Sequence, residues 1–200
     1  MSDLRHLLLI CFGVWAAADA GGTTVVPPDF AQLVNGSDYV VRARVAKVTA
    51  EPRTVEGRAL IFTRVEFEVL AVLAGAPPRN LVLVMLGGKL GDEELWIGGA
   101  PRFAAGDEDI LFVSGNGANL HPLYALGHGR YPVRRDAAGR EFVARSNGVP
   151  LTGVAEVALP LAEEPPGAGP GPRGAAGRAL TPAEFAAAIK QTRASSLREK

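Results

Sequence analysis

Alternation of apolar and polar positions dominates the first half of the chain. Between residues 39 and 45 the apolar Tyr39, Val41, Ala43 and Val45 are separated by Arg42 and Arg44, a period of two that predicts a strand with one buried face. The apolar phase then slips to Val48. One extra residue near Ala46 and Lys47 accounts for the slip, and such a bulge bends a strand where a sheet curls. A second amphipathic strand places Ile61, Thr63, Val65, Phe67 and Val69 on one face and Arg64, Glu66 and Glu68 on the other. The polar stretch 51–57 reads as the hairpin connection between them. The continuous apolar run 81–86 predicts a strand covered on both faces. Residues 87–106, punctuated by glycine, form the longest irregular segment. Runs at 110–113, 120–126, 130–133 and 141–144 complete a set of short strands, with 136–139 as the turn of a final hairpin.

Helical spacing occurs twice. Phe30, Leu33 and Val34 lie three to four residues apart after Pro28 and before Asn35-Gly36, which predicts a short helix. Near the end, Thr181-Pro182-Ala183-Glu184 carries the pattern of a capping box with proline at the first helical position. Phe185 and Ile189 then make an apolar stripe suited to docking on the strands. Many short strands with one early helix and a bulged first strand fit a small OB-like β-barrel, with a sandwich as the competing arrangement.

Composition divides the chain further. Its 200 residues include 24 glycines and 15 prolines, and a dense Pro/Gly stretch at 160–179 reads as a flexible linker. The first twenty residues combine Arg5 and His6 with an apolar run to Ala18 and the small-residue triplet Ala18-Asp19-Ala20, the arrangement of a cleaved export signal. That run is too short to span a bilayer. The organisation expected is therefore a signal peptide at 1–20, a β-barrel domain at 21–159, the linker at 160–179 and a C-terminal helix and tail at 180–200. Cleavage near Ala20-Gly21 places the product in the periplasm or outside the cell, with no membrane attachment afterwards. Cys11, the single cysteine, leaves with the signal, so the domain relies on packing rather than disulfides. Lysine and arginine together number 21 and acidic residues 21, a balance that argues against a nucleic-acid partner.

The order of features also resembles a family. The stretches Thr23-Thr24-Val25-Val26-Pro27-Pro28-Asp29-Phe30, Ser37-Asp38-Tyr39-Val40-Val41-Arg42-Ala43-Arg44-Val45, Val69-Leu70-Ala71-Val72-Leu73-Ala74-Gly75 and Pro101-Arg102-Phe103-Ala104-Ala105-Gly106-Asp107-Glu108 look like those of a group of uncharacterised exported bacterial proteins. The overall order is similar to the netrin-like OB barrel of tissue inhibitors of metalloproteinases. That similarity implies a mainly β, OB-like (netrin-like) barrel that engages a protein, with a secreted protease as one such partner. Those inhibitors reach the protease zinc through an N-terminal cysteine, which the processed chain here lacks.

Several residue groups carry candidate chemistry. His121 and His128, the two histidines outside the signal, are candidate metal ligands, although a catalytic zinc site takes three protein ligands and no third is evident. The clusters Asp92-Glu93-Glu94 and Asp107-Glu108-Asp109 lack the alternating spacing of a calcium loop and read as solvated turn acids. Gly87-Gly88-Lys89-Leu90-Gly91 lacks the P-loop spacing and reads as a wide turn. Ser114, Ser146 and Thr152 have no nucleophile-elbow context. The dense basic stretch from Arg130 to Arg145 lies beside Tyr131 and Phe142 and reads either as a solvated face or as a grip for an anionic partner. Trp96 and Arg102, on the long glycine-rich segment, together with Arg130 and Arg134, are the expected partner contacts. The function expected is an exported, non-enzymatic module that binds a protein partner and needs no cofactor. The alternatives are a metal-assisted hydrolase using His121 or His128 and a protein that binds an envelope or other anionic polymer.

Overall fold

A computed structural model describes residues 25–161 and 178–198. Residues 1–20, expected as an export signal, and most of the Pro/Gly stretch expected as a linker lie outside the described residues. Helix α1, Phe30–Asn35, begins where Asp29 and Gln32 cap each other reciprocally, side chain to main chain in both directions. It buries Leu33 and Val34.

Strands β1 (Tyr39–Val55) and β2 (Arg58–Gly75) form a long antiparallel hairpin. The connection expected at 51–57 is shorter than the polar composition implies: only Glu56 and Gly57 turn, with φ of 49° and 77°. Two consecutive positive φ values suit the right-handed twist of the flanking strands, so the polar residues on either side stay paired. The slip after Val45 is a bulge, with Val45 opposite Phe67 and Lys47 opposite Glu66. Two further irregularities in the same ladder skip Leu70 and Leu73.

The remaining strands are β3 (Leu81–Leu86), β4 (Gly88–Leu90), β5 (Glu93–Leu95), β6 (Glu108–Val113), β7 (Arg130–Arg135) and β8 (Glu141–Val143). Six of them form one antiparallel sheet in the order β3-β2-β1-β6-β7-β8, and β4 pairs with β5 separately. The molecule is thus mainly β with a C-terminal helix. The ladder leaves β3 and β8 as edges, and no closed barrel is found among the described residues. Two strand expectations change. β3 alternates between buried and half-buried positions instead of being covered throughout. Residues 120–126 form turns with one bridge, Val113 to Leu123, because they wrap over the end of β6.

Both faces of the sheet are apolar. Tyr39, Val41, Ala43 and Val45 join Val65, Phe67, Leu83 and Leu111 on one side. Val40, Ile110, Phe112, Tyr131 and Val133 form the other side, which the helices cover. Helix α2, Pro182–Arg198, supplies the largest plug. Its Thr181 hydroxyl and Glu184 carboxylate make the capping box, and Phe185 is fully buried with ring centroids 5.0 Å from Tyr131, 5.7 Å from Phe30 and 6.0 Å from Phe112. Arg193 donates to the Ser37 carbonyl at 2.6 Å, near the C-terminal end of α1, and Ser196 bonds Asn35 at 2.9 Å.

Phe185→Ala is expected to lower unfolding free energy by about 3–5 kcal/mol, because a buried aromatic leaves a cavity that its three ring neighbours cannot fill. Leu197→Ala, at a side chain 68% exposed, is expected to stay within about 0.5 kcal/mol. Urea titrations followed by circular dichroism compare the two.

Candidate functional site

At the end of β3 the chain changes direction through two glycines. Gly87 donates to the Ile61 carbonyl at 2.8 Å and accepts from the Thr63 hydroxyl at 2.7 Å. A Cβ on Gly88 would lie 2.2 Å from Thr63 Oγ1, and the φ of 131° is itself a glycine conformation. Only glycine lets β4 cross so near the β1–β2 hairpin. The stretch expected as a wide turn is therefore the crossing into a second small hairpin, followed by Trp96.

Between this hairpin, the middle of β1–β2 around Val48, Ala50 and Thr63, and the segment 100–103 lies a cleft of about 360 Å³. Val48, Met85, Ile97 and Phe103 are among its apolar walls, and Lys89, Glu94, Trp96 and Arg102 provide its polar and aromatic groups. Trp96 remains 39% exposed. The Arg102 guanidinium lies 4.5 Å from the Trp96 ring centroid and donates to Glu94 at 2.7 Å. Two of the expected contact residues thus share one site.

Arg130 has a different place. Its side chain is 7% exposed; Nε donates to Asp109 at 2.8 Å and Nη2 to Asp107 at 2.9 Å. Nη1 donates to the Arg102 carbonyl, and the guanidinium stacks 4.4 Å from the Phe103 ring centroid. Phe103 in turn meets Phe67 edge-on at 5.5 Å. With its donors turned inward, Arg130 braces the 102–107 segment and presents nothing to a partner. Arg134 is more open, 3.6 Å from Asp107, and lines a second depression with Arg44, Glu108 and Glu141.

The rest of the basic stretch is also engaged within the molecule. Arg135 pairs with Glu141 at 2.9 Å and Arg140 with Asp136 at 2.7 Å, while Arg145 donates to the Leu159 and Pro160 carbonyls. Asp107, Glu108 and Asp109 serve as acceptors for Arg130 and Arg42. Sequence reasoning missed this pairing because the acids and bases come from different strands. The cue lay in two charge clusters of opposite sign, both beside apolar strand patterns.

The histidines stand apart from this cleft. His121 occupies the 114–124 loop with a buried Nδ1 that has no hydrogen-bond partner. His128 is buried in a 3-10 turn, and its pKa is lowered by burial and by the Arg145 charge, against a hydrogen bond to the Val157 main chain. Burial lowers His121 likewise. Among the described residues, no three His, Cys, Asp or Glu side chains are grouped to hold a metal ion. Compared with known family models and with curated proteins, the chain matches none.

Arg130→Ala is expected to cost about 3–5 kcal/mol, since it leaves Asp109 buried without its counter-charge. Thermal unfolding of the variant tests this. The histidines set a pH dependence. Each binds its proton more readily when unfolded, so stability is full above about 6.5 and falls as pH drops through that value towards the lowered folded pKa. Denaturant unfolding between about pH 5 and 7 should show the decline, and the double variant His121→Gln, His128→Gln should flatten it. Glu141, held low by Arg135 and Arg42, acts only in a more acid window, below its ordinary 4.5.

Proposed function

We propose that the protein is an exported, non-enzymatic module that binds a protein partner through the cleft beside Trp96. The observation that carries this reading is the Trp96–Arg102 stack on a concave, mostly apolar site: an accessible indole held by a cation, beside walls braced through Arg130. Aromatic and arginine side chains in such settings are the usual anchors of protein interfaces. Rigid support lowers the ordering cost of binding.

The scaffold is read as an open OB-like, netrin-like barrel. In support, loop 114–124 leaves β6 and reaches the β3 edge, where Leu86 donates to the Leu120 carbonyl at 3.0 Å and Asn116 to the Val82 carbonyl at 3.1 Å. The core around Val65, Leu83 and Leu111 lies on the face this loop encloses. Export to the periplasm or medium follows from the pattern at 1–20, and a secreted protease is one partner of the class that the resemblance implies. Arg134 is a secondary contact on this reading.

A photo-crosslinking amino acid placed at position 96 in the exported protein tests the proposal, with the exposed Lys190 position of α2 as the comparison. A discrete adduct from 96 that is absent from 190 is expected. With the captured partner in hand, Trp96→Ala should weaken binding by about 2 kcal/mol, roughly thirtyfold. No adduct at 96, or the same adducts at both positions, overturns the reading.

A further inference from the structure

The cleft adjoins a length of unpaired sheet edge, and its direction follows from the ladder. Gly87 donates to the Ile61 carbonyl, so Ile61 turns its main chain towards the β3 side. By alternation, Phe62, Arg64 and Glu66 face β1, where their partners are Glu51, Thr49 and Lys47. Val48, Ala50 and Pro52 therefore turn their main-chain groups away from β2. On that side the pairing with β6 stops at Arg44, and Val45 makes the last two bonds, from its N–H to Asp107 and from Gly106 to its carbonyl, each 2.8 Å. Among the described residues, no main-chain group answers the outward N–H and C=O of Val48 or Ala50.

Two more observations point to an occupant. The Val48 and Ala50 side chains both line the cleft, because the bulge after Val45 returned the apolar phase to that face. Lys47 on the neighbouring position and Lys89 at the cleft make no ion pair among the described residues, whereas Glu94 is taken by Arg102. The bulge at one end and Pro52, which has no N–H, at the other limit the free ladder to a few residues. Long edge-to-edge pairing is disfavoured by such features, while a short segment still fits.

We infer that this edge takes an extended segment of the partner as an added strand, with apolar side chains at alternate positions entering the cleft beside Trp96 and an acidic residue between them facing Lys47. Main-chain bonds to Val48 and Ala50 supply affinity, and the cleft and the unpaired lysines supply selectivity. The inference rests on the cleft being the binding site and adds the form and chemistry of what enters it.

A capped peptide, Thr-Val-Glu-Ile-Glu-Val-Thr, tests it on the processed protein, in which Trp96 is the sole tryptophan after loss of Trp15. Its titration should shift Trp96 fluorescence and slow amide exchange at Val48 and Ala50 at least tenfold. A version N-methylated at the isoleucine and both valines, whose N–H groups face β1 in an antiparallel addition, or a version with lysine in place of both glutamates, should bind at least tenfold more weakly. Ala50→Pro should weaken binding at least tenfold, and Lys47→Glu, which leaves the backbone intact, at least threefold. A Trp96 response without protection of Val48 and Ala50 overturns strand addition while leaving the cleft as a binding site. A peptide that moves neither readout also overturns it, and the adduct at position 96 then decides the broader reading separately.

Discussion

Arg130 and Asp109 carry opposite charges in a place that water scarcely reaches, and much of the molecule is arranged around keeping them matched. Asp109 is completely buried, so its carboxylate depends on the guanidinium for the partners that solvent would otherwise supply. Their approach follows from the β6–β7 ladder, in which Asp109 stands opposite Pro132 and Leu111 opposite Arg130. What remains of the guanidinium is used on the 102–107 segment, through the Arg102 carbonyl, the Asp107 carboxylate and the Phe103 face. One buried pair thereby ties strand register to the shape of the cleft wall. Loss of the match would loosen both.

A second constraint is that β1 has apolar neighbours on both sides. Val41 and Ala43 pack into one core while Val40 packs into the other, so the sheet needs a cover on each face. On the first face the loop 114–124 and the segment bearing Phe103 provide it. On the second, α1 and α2 do, with Phe185 at the centre of an aromatic group. Without disulfides in this arrangement, interlocking aromatic rings and the contacts of Arg193 and Ser196 near the end of α1 hold the last helix in place.

Local periodicity disclosed much of this architecture. The bulge after Val45, the first helix and the capped final helix were all legible, because each depends on residues within a few positions of one another. Residues 51–55 were not, since their polar character is compatible with a solvated, paired strand as well as with a loop. Residues 120–126 have strand composition, yet the end of β6 bends them into turns that serve as a cover. The site divided in the same way. Trp96 and Arg102 lie close in sequence on one segment and do stack, whereas the inward position of Arg130 depends on acids brought across a ladder. Charge density along the chain says nothing about which strand will lie opposite.

The late position of α2 has a consequence for how the chain acquires its structure. A nascent polypeptide is made from its N-terminus, so Phe112 and Tyr131 exist well before Phe185 arrives to separate them from water. Until then α1 is the only α-helix on their face of the sheet, and Phe112 and Tyr131 lack the ring that packs against both. Completion of the fold is therefore tied to completion of synthesis through residue 189, where Ile189 closes the same core. Truncated chains that stop before α2 would present a sticky, half-covered sheet, the kind of species that quality-control proteases and chaperones recognise.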